Sequence, residues 1–367
     1  MPSPPPVDLA RIGALAQFEE LARERLDPQA VDYVAGGGWD EVTLTDNVAA
    51  FRRRRFRPRV LVDTSAVDPS TELLGRPVAM PVGIAPMALH GLCHRDGELA
   101  SARAGAAAGI PFCLSTVSSR SIEEVAAASA PVGLGPRWFQ LYVHRDRGFS
   151  RSLVERAAAA GYQALVLTVD LPILGYRDRD RQWPTPLNAE LGNFPGGDGP
   201  TVGGSGLDDL IDARHAPLTW ADLDEIRGWS GLPLVVKGIL TGDDARLAVE
   251  AGAAALVVSN HGGRQLDRVP GAIDALPEVV AAVGGDVEVY LDGGVRRGLD
   301  ILTALALGAR AVFVGRPILW SLAVGGEAGV ARALAILREE LERGMALLGT
   351  PRVADIGPEH LAPGSRS

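Results

Sequence analysis

Short apolar segments alternate with alanine-rich amphipathic segments from Met80 to Pro317, and this alternation limits the possible folds more than any other feature. The apolar segments are too short for buried helices and are apolar throughout, which is typical of parallel strands buried on both faces. A helical pattern follows nearly every one, as parallel connections require. The predicted strands are Val82–Ala85, Phe112–Ser115, Trp138–Val143, Ala164–Val169, Leu234–Gly238, Ala255–Ser259, Val287–Leu291 and Ala311–Gly315.

Eight such units predict an α/β fold, and specifically a closed (β/α)8 TIM barrel. A doubly wound open sheet is the alternative, but closure leaves no exposed edge strand. Residues 1–79 are predicted to form an N-terminal helical extension that packs on a barrel of residues 80–367. The segment 178–219 interrupts the alternation and is rich in Gly, Pro and Asp. Its length predicts an active-site lid loop.

Composition excludes some partners and compartments. The 367 residues carry a net charge of −9, which provides no global basic field for nucleic acid. The basic run Arg52–Arg57 is interpreted as a solvated or interface surface. Cys93 and Cys113 fit a reducing compartment, and their surroundings predict no metal site. A signal peptide pattern is lacking, and no apolar stretch approaches the ~18 residues of a membrane span. We therefore expect a cytoplasmic protein without a membrane partner.

The sixth predicted strand ends at a candidate base. It is followed by His261-Gly262-Gly263-Arg264, which places an imidazole beside a guanidinium. Barrel enzymes carry catalytic groups at this end of their strands. A base next to a fixed cation suits proton abstraction from an anionic substrate. The alternative is that His261 only ends a strand and Arg264 is a solvated loop residue.

Glycine-rich loops after the seventh and eighth strands predict a phosphate site. Such loops lead into helix N-termini, which bind phosphate in many barrels. Arg296 and Arg316 would add charge-assisted hydrogen bonds to a dianion. The glycines alone would be explained by tight turns, but a cation in each loop would not.

Two further charged residues end strands and leave alternatives open. Lys237 ends the fifth strand, where it requires an anion or a polarised group. It could form a Schiff base with a carbonyl substrate or hydrogen-bond to a cofactor. Asp170 follows the fourth strand and could orient a histidine or cap a helix. A phosphate-binding isomerase or a Schiff-base aldolase would explain Lys237 but would leave His261 and Arg264 without a role.

Several linked motifs then indicate a family. SNHGGRQLD after the sixth strand, VKG on the fifth, LDGGVRRG on the seventh and VFVGRP on the eighth resemble the FMN-dependent α-hydroxy acid oxidases and dehydrogenases. FQLYV at Phe139–Val143, LTVD at Leu167–Asp170 and the segment Val31–Tyr33 match as well. The family includes glycolate oxidase, lactate oxidase, mandelate dehydrogenase and hydroxymandelate oxidase. The resemblance extends from about residue 8 to residue 360.

The resemblance implies that FMN lies across the barrel mouth. Lys237 would lie at the N1/O2 edge of the flavin, and Asp292 would contact the ribityl hydroxyls. The loops after the last two strands would hold the phosphate. The residues assigned to FMN in this way are Pro86, Met87, Ala88, Ser115, Gln140, Thr168, Lys237, Ser259, Asp292, Gly293, Gly294, Arg296, Gly315 and Arg316.

The resemblance also implies an activity and an assembly. An L-2-hydroxy acid would be oxidised to the 2-oxo acid, with O2 as final acceptor and H2O2 as product. A quinone- or carrier-linked dehydrogenase, or a member that oxidises a peptide or amine, is the alternative. The family usually forms homotetramers or octamers. The implied catalytic residues are His261, Asp170, Tyr142 and Arg264, and the implied substrate-binding residues are Tyr33, Tyr142, Arg177, His261 and Arg264.

Two positions depart from the glycolate-type pattern. Val117 stands where many members have a tryptophan over the substrate, and Ile173 occupies a place that is often polar or cationic. Smaller and more apolar residues there predict room for a side chain larger than that of glycolate, including mandelate-like side chains.

Overall fold

The computed structural model describes residues 7–183, 190–194 and 216–365. Within these residues a two-stranded β-hairpin precedes the eight strands of a second sheet. The strands are β1 (Thr71–Leu73), β2 (Arg76–Val78), β3 (Val82–Ile84), β4 (Phe112–Ser115), β5 (Arg137–Leu141), β6 (Ala164–Thr168), β7 (Leu234–Ile239), β8 (Ala255–Val258), β9 (Glu288–Asp292) and β10 (Ala311–Val314).

The eight strands β3 to β10 form a closed parallel barrel. Each pairs with the next along the chain, and β10 pairs with β3, which closes the sheet. All eight strand predictions are confirmed, with ends that differ by at most two residues. The open doubly wound alternative is wrong, because the barrel strands leave no edge.

Helices surround the barrel and precede it. They are α1 (Leu15–Arg23), α2 (Pro28–Ala35), α3 (Val42–Arg52), α4 (Glu98–Ala107), α5 (Ile122–Ser129), α6 (Arg147–Ala159), α7 (Asp178–Arg181), α8 (Asp222–Arg227), α9 (Gly242–Glu250), α10 (Ala272–Val283), α11 (Gly298–Ala306) and α12 (Arg316–Leu348). The last helix begins at Arg316 with Pro317 in its first turn, because the fixed φ of proline suits that position.

Helix α12 is a core helix. It is the one helix among the described residues that is long and apolar enough to cross a bilayer, but 56% of its most apolar window is buried inside the protein. It bends at Gly325 and Gly326, whose backbone angles are not helical. The bend lets the helix follow the curved surface that it covers, since α12 contacts α1, α4 and α11.

The N-terminal end of the barrel is filled by aromatic side chains. The ring of Trp138 lies 5.6 Å from that of Tyr290 and 5.2 Å from that of Phe313. Leu73 and Val78 of the β1–β2 hairpin pack into the same cluster. The hairpin was not predicted in the helical extension, because two short strands gain stability only by packing against other elements. The open end of the barrel is therefore the opposite one.

The N-terminal extension is fastened to the open end. The Asp267 carboxylate accepts the N–H groups of Val42 (3.3 Å) and Thr43 (2.8 Å) at the start of α3. At the other end of α3, Arg53 and Arg54 both pair with Asp274 of α10. The interpretation of Arg52–Arg57 as a solvated or interface surface is wrong for Arg54, which is only 6% exposed and pairs with Asp274 within the chain.

Most of the predicted lid, residues 178–219, lies outside the described residues. The described parts are α7 with the two residues that follow it, the segment 190–194, and residues 216–219.

Candidate active site

A cavity of about 1050 Å³, including its open mouth, lies at the C-terminal ends of the barrel strands. This is where barrel enzymes place their chemistry. The wall combines apolar side chains from four loops with charged groups. The predicted site residues on the wall are Tyr33, Pro86, Met87, Ala88, Ser115, Tyr142, Arg177, Lys237, His261, Arg264, Asp292, Gly293, Gly294, Arg296, Gly315 and Arg316.

The other four predicted site residues lie behind this wall, and each touches a residue on it or a neighbour of one. Ser115 donates to Gln140 Oε1 (3.1 Å), and Gln140 in turn donates to Thr168 Oγ1 (3.1 Å). Ser259 and Asp170 contact Lys237 and His261, respectively. The three neighbouring strands β4, β5 and β6 thus share one buried hydrogen-bonded row beneath the cavity.

His261 is held between a carboxylate and a phenol. Its Nδ1 lies 2.9 Å from Asp170 Oδ1, and its Nε2 lies 3.2 Å from the hydroxyl of Tyr142. Burial lowers the pKa of His261, and the Asp170 carboxylate offsets only part of that effect. A neutral imidazole whose Nδ1–H points at a carboxylate presents the lone pair of Nε2 toward the cavity. The arrangement suits a proton acceptor.

The backbone around His261 is unusual. His261 has φ +58°, and Gly262 and Gly263 follow with φ +64° and +75°. A non-glycine residue in the left-handed region is uncommon, and such residues cluster at functional sites. The two glycines let the chain turn back, and Gly263 packs so closely that an added Cβ would lie 2.6 Å from the backbone N of Leu44. The turn therefore presents the imidazole while docking against α3.

The residues that follow His261 tie neighbouring loops together. Gln265 accepts the N–H of Gly175 and donates to the carbonyl oxygens of Asp170 and Ile173. This fixes the loop after β6, which carries the orienting Asp170. Asp267 of the same loop binds the start of α3, so the loop also fixes the N-terminal extension.

Lys237 is buried beside two acceptors. Its Nζ lies 3.0 Å from Ser259 Oγ and 3.5 Å from Asp292 Oδ2. Burial opposes the ammonium charge, but the carboxylates of Asp292 and Asp170 outweigh it and raise the pKa of Lys237. A Schiff base requires the neutral amine. The geometry therefore favours the hydrogen-bonding alternative over the aldolase-type one.

Two arginines predicted to bind the substrate, Arg177 and Arg264, lie on the cavity wall. Arg177 is only 6% exposed, and burial together with the charge of Arg264 lowers its pKa to about 10. Arg264 lies over the Tyr33 ring, 5.1 Å from its centre, and donates to the carbonyl oxygens of Tyr33 and Gly36. The Arg177 guanidinium therefore stays charged at neutral pH, and a pair of guanidiniums can bind a carboxylate.

Two more arginines on the wall, Arg296 and Arg316, are those predicted to bind a phosphate. Arg296 follows Gly293 and Gly294, and burial lowers its pKa. Arg316 donates to the carbonyl oxygens of Val34, Gly36 and Gly262, so its guanidinium also holds the C-terminal end of α2. Burial and repulsion from the other arginines place the pKa of Arg316 well below its usual range. This concentration of positive charge favours anionic ligands.

The interpretation of Ile173 as a residue that makes room in the cavity is wrong. Ile173 is 67% exposed and does not lie on the described wall of the cavity. Leu171 and Leu174 of the same loop line the cavity instead. Gln265 holds the backbone of this loop in a turn that directs the side chain of Ile173 outward, away from the cavity. Val117 does line the cavity and is 4% exposed, in keeping with the interpretation of that position.

Sequence reasoning missed two asparagines at this end of the barrel. Asn260 and Asn47 exchange two amide hydrogen bonds of 2.8 and 2.9 Å, and Asn47 also accepts the N–H of Ala272. This pair joins α3 to the loop after β8. Asn260 lies within the SNHGG motif and could have been noticed, whereas Asn47 carries no local signal.

Comparisons with known proteins agree on one family. Residues 22–363 match the model of the FMN-dependent dehydrogenase family. The chain is 51% identical over 354 residues to L-lactate oxidase of Nostoc sp., covering 95% of this chain and 97% of that protein. It is 48% identical over 351 residues to glycolate oxidase 3 of Arabidopsis thaliana, covering 94% of each. A solved structure of mandelate oxidase with (S)-4-hydroxymandelic acid is 43% identical, covers 96% of this chain and 98% of its own, and superimposes with a TM-score of 0.90.

Proposed function

The chain belongs to the FMN-dependent α-hydroxy acid oxidase family, and from this premise we propose that its cavity oxidises L-2-hydroxy acids with His261 as the proton acceptor. The net reaction converts a 2-hydroxy acid and O2 into a 2-oxo acid and H2O2. The observation that carries the proposal is the His261 imidazole, which is held by Asp170 and Tyr142 on the wall of a cavity that Arg177 and Arg264 also line.

The residues present fit FMN. Asp292 Oδ1 is buried without a hydrogen-bond partner in the described part of the chain, as expected for a group that accepts ribityl hydroxyls. Arg296, Arg316 and the start of α12 would hold the phosphate, while Lys237 and the Ser115–Gln140 row would contact the ring. When bound, FMN supplies the two-electron oxidant. Pro86, Met87 and Ala88 line the cavity where backbone groups would flank the ring.

The substrate carboxylate would be bound by Arg177 and Arg264, with hydroxyl groups from Tyr33 and Tyr142. Bidentate arginine contacts fix the orientation of a carboxylate. His261 Nε2 then takes a proton from the 2-hydroxy acid, and the resulting imidazolium is stabilised by Asp170 through Nδ1–H. The ammonium of Lys237 stays charged and stabilises negative charge on the cofactor side of the cavity.

We propose that the preferred substrates have side chains larger than that of glycolate. Val117, Leu171 and Leu174 provide an apolar part of the wall, where a small residue at position 117 leaves room. The likeness to mandelate oxidase solved with (S)-4-hydroxymandelic acid supports an aromatic side chain.

One experiment tests both activity and substrate class. Purified protein is mixed anaerobically with glycolate, L-lactate, longer aliphatic 2-hydroxy acids or (S)-mandelate, and the loss of the flavin absorption band is recorded. We expect the band to bleach with the larger acids and to return when air is admitted. A flavin that no 2-hydroxy acid bleaches would overturn the proposed activity, and a band that returns only with a quinone would make the protein a dehydrogenase.

We also propose that the protein is a cytoplasmic homo-oligomer, a tetramer or an octamer. The described cysteines are free, which suits a reducing compartment. Val60 and Leu61 are 82% and 103% exposed beside the Arg52–Arg57 run, and an exposed apolar segment of this kind supports contact between copies. Light scattering in solution tests the assembly: a monomeric mass would contradict it.

Cell fractionation tests the compartment.

A further inference from the structure

A short segment far along the chain is anchored beside the cavity. Residues Glu190–Phe194, here the anchor segment, pack against residues Thr116–Ile122, here the β4 loop because it follows β4. Asn193 in this segment is 1% exposed. The Phe194 ring lies 5.4 Å from the ring of Phe149 on α6. The anchor segment thus contacts the barrel through a polar residue, Asn193, and through an apolar one, Phe194.

Both the oxygen and the nitrogen of the Asn193 amide form hydrogen bonds with the β4 loop. Its Oδ1 accepts the N–H of Ile122 (3.0 Å), the first residue of α5. Its Nδ2 donates to the carbonyl oxygen of Thr116 (3.2 Å) and to Ser118 Oγ (2.9 Å). Because the Ser118 hydroxyl donates to the Arg120 carbonyl (2.6 Å), its oxygen must accept from Asn193, which fixes the orientation of the amide.

The backbone adds a second contact and requires a close approach. Gly192 donates its N–H to the carbonyl oxygen of Ser118 (2.9 Å). A Cβ at Gly192 would lie 2.3 Å from the carbonyl carbon of Arg120 and 2.4 Å from the N of Ser121. A side chain at this position would push the anchor segment off the β4 loop.

The β4 loop carries Val117 into the cavity. The two residues on either side of it, Thr116 and Ser118, are those that Asn193 holds. Below, the Val117 N–H donates to Ser115 Oγ (3.1 Å), and its carbonyl accepts the N–H of Leu89 (3.2 Å). Val117 is therefore fixed from the barrel side and from the anchor segment together.

From this geometry we propose that Asn193 is a positioning residue that fixes Val117 and thereby sets which substrate side chains the cavity discriminates. The inference rests on the proposed oxidation of 2-hydroxy acids. An apolar wall discriminates between substrates whose side chains differ by as little as one methylene group. A loosened β4 loop would therefore reduce this discrimination. Asn193 lies behind Val117 and acts through it.

The test uses the holoenzyme with Asn193→Asp. This change keeps the shape and the acceptor for Ile122 N–H but removes both N–H donors and sets a carboxylate oxygen against the Thr116 carbonyl. We expect the ratio of kcat/KM for (S)-mandelate to that for glycolate to move about tenfold toward one. The flavin absorption band should remain, because the described FMN-facing residues are unchanged.

The matched control is Ser121→Ala. Ser121 Oγ caps the same helix, α5, by accepting the N–H of Glu124, but it does not touch Thr116 or Ser118. This variant should lower Tm while leaving the substrate ratio unchanged. It separates the general effect of loosening α5 from the effect on Val117.

Gly192→Ala perturbs the same contact independently. It tests the role of the β4 loop if Asn193→Asp does not fold. It should move the substrate ratio in the same direction. Ratios within about twofold of the unaltered enzyme in the folded variants would overturn the inference. If the unaltered enzyme were not reduced by any 2-hydroxy acid, the proposed function would fail first, so the two failures are distinguishable.

Discussion

His261 and Lys237 are two buried nitrogen bases in one cavity, and their surroundings tune them in opposite directions. Each lies near an aspartate, and both residues contact Ser259, whose Oγ accepts from Lys237 Nζ (3.0 Å) and from the backbone N–H of His261 (3.1 Å). Burial keeps the pKa of His261 below its usual value, whereas the carboxylates of Asp292 and Asp170 keep that of Lys237 above its own.

The difference shows how one site can hold an empty proton acceptor beside a permanent cation. An imidazole loses its proton easily, so burial alone is enough to keep it neutral. An ammonium starts with a much higher pKa, so one nearby carboxylate keeps it charged despite burial. The site therefore accepts a proton at one position and stabilises negative charge at the other.

The largest expected effect comes from removing the acceptor. His261→Asn keeps a residue that tolerates the left-handed backbone found there but removes the base. We expect flavin reduction by substrate to slow by about 10²–10⁴-fold, the usual contribution of a general base. Stopped-flow absorbance measures this rate. His94→Gln, a histidine away from the described cavity wall, should react at the normal rate, and an equal loss in both variants would contradict the role of His261.

Removing the permanent cation should reduce stability. Lys237→Met leaves the Asp292 carboxylate buried without its partner, and breaking such a buried pair costs about 3–5 kcal/mol. Urea unfolding of the apoprotein measures the change, and the double variant with Asp292→Asn should recover part of it. Removing Arg338 from its exposed pair with Glu342 should cost at most about 1 kcal/mol. Equal costs at the two sites would mean that Lys237 is not a buried charge.

A smaller effect is expected from Tyr33, a predicted substrate contact that is neither of the two bases. Tyr33→Phe removes a hydroxyl on the cavity wall that would donate to the substrate carboxylate. A hydrogen bond to a charged group contributes about 1.5 kcal/mol, so KM should rise about tenfold with little change in kcat. Tyr290→Phe is the control, because that hydroxyl binds Glu288 at the other end of the barrel. An unchanged KM in Tyr33→Phe would remove Tyr33 from the site.

The eight strands and the position of the site could be predicted because their signals are local. An apolar run identifies a buried strand, and a barrel brings the carboxyl ends of all its strands together. His261, Lys237 and Arg296 lie far apart in the sequence, but each follows or ends a strand, so their convergence on one cavity follows from the fold. The role of each residue is still a prediction.

The contacts that position these groups could not be predicted, because they join distant segments without a local pattern. Asn47 pairs with Asn260 across 213 residues, and Asn193 holds the β4 loop from a stretch whose composition predicts only a polar loop. Arg54 is similar: a run of arginines suggests solvent exposure until Asp274 is placed beside it. A hydrogen bond between remote segments depends on coordinates that only the folded chain supplies.

The pH dependence of anaerobic flavin reduction tests the central contrast most directly. Protonated His261 cannot accept a proton, so the rate constant at saturating substrate should be constant at high pH and fall only below a pKa that lies under the ordinary value of about 6.5. Lys237, with its raised pKa, should cause no loss of rate between about pH 7 and pH 10. A rate that rises with a pKa above 7, or that falls between about pH 7 and pH 9, below the pKa of about 10 of Arg177, would contradict an empty acceptor beside a permanent cation.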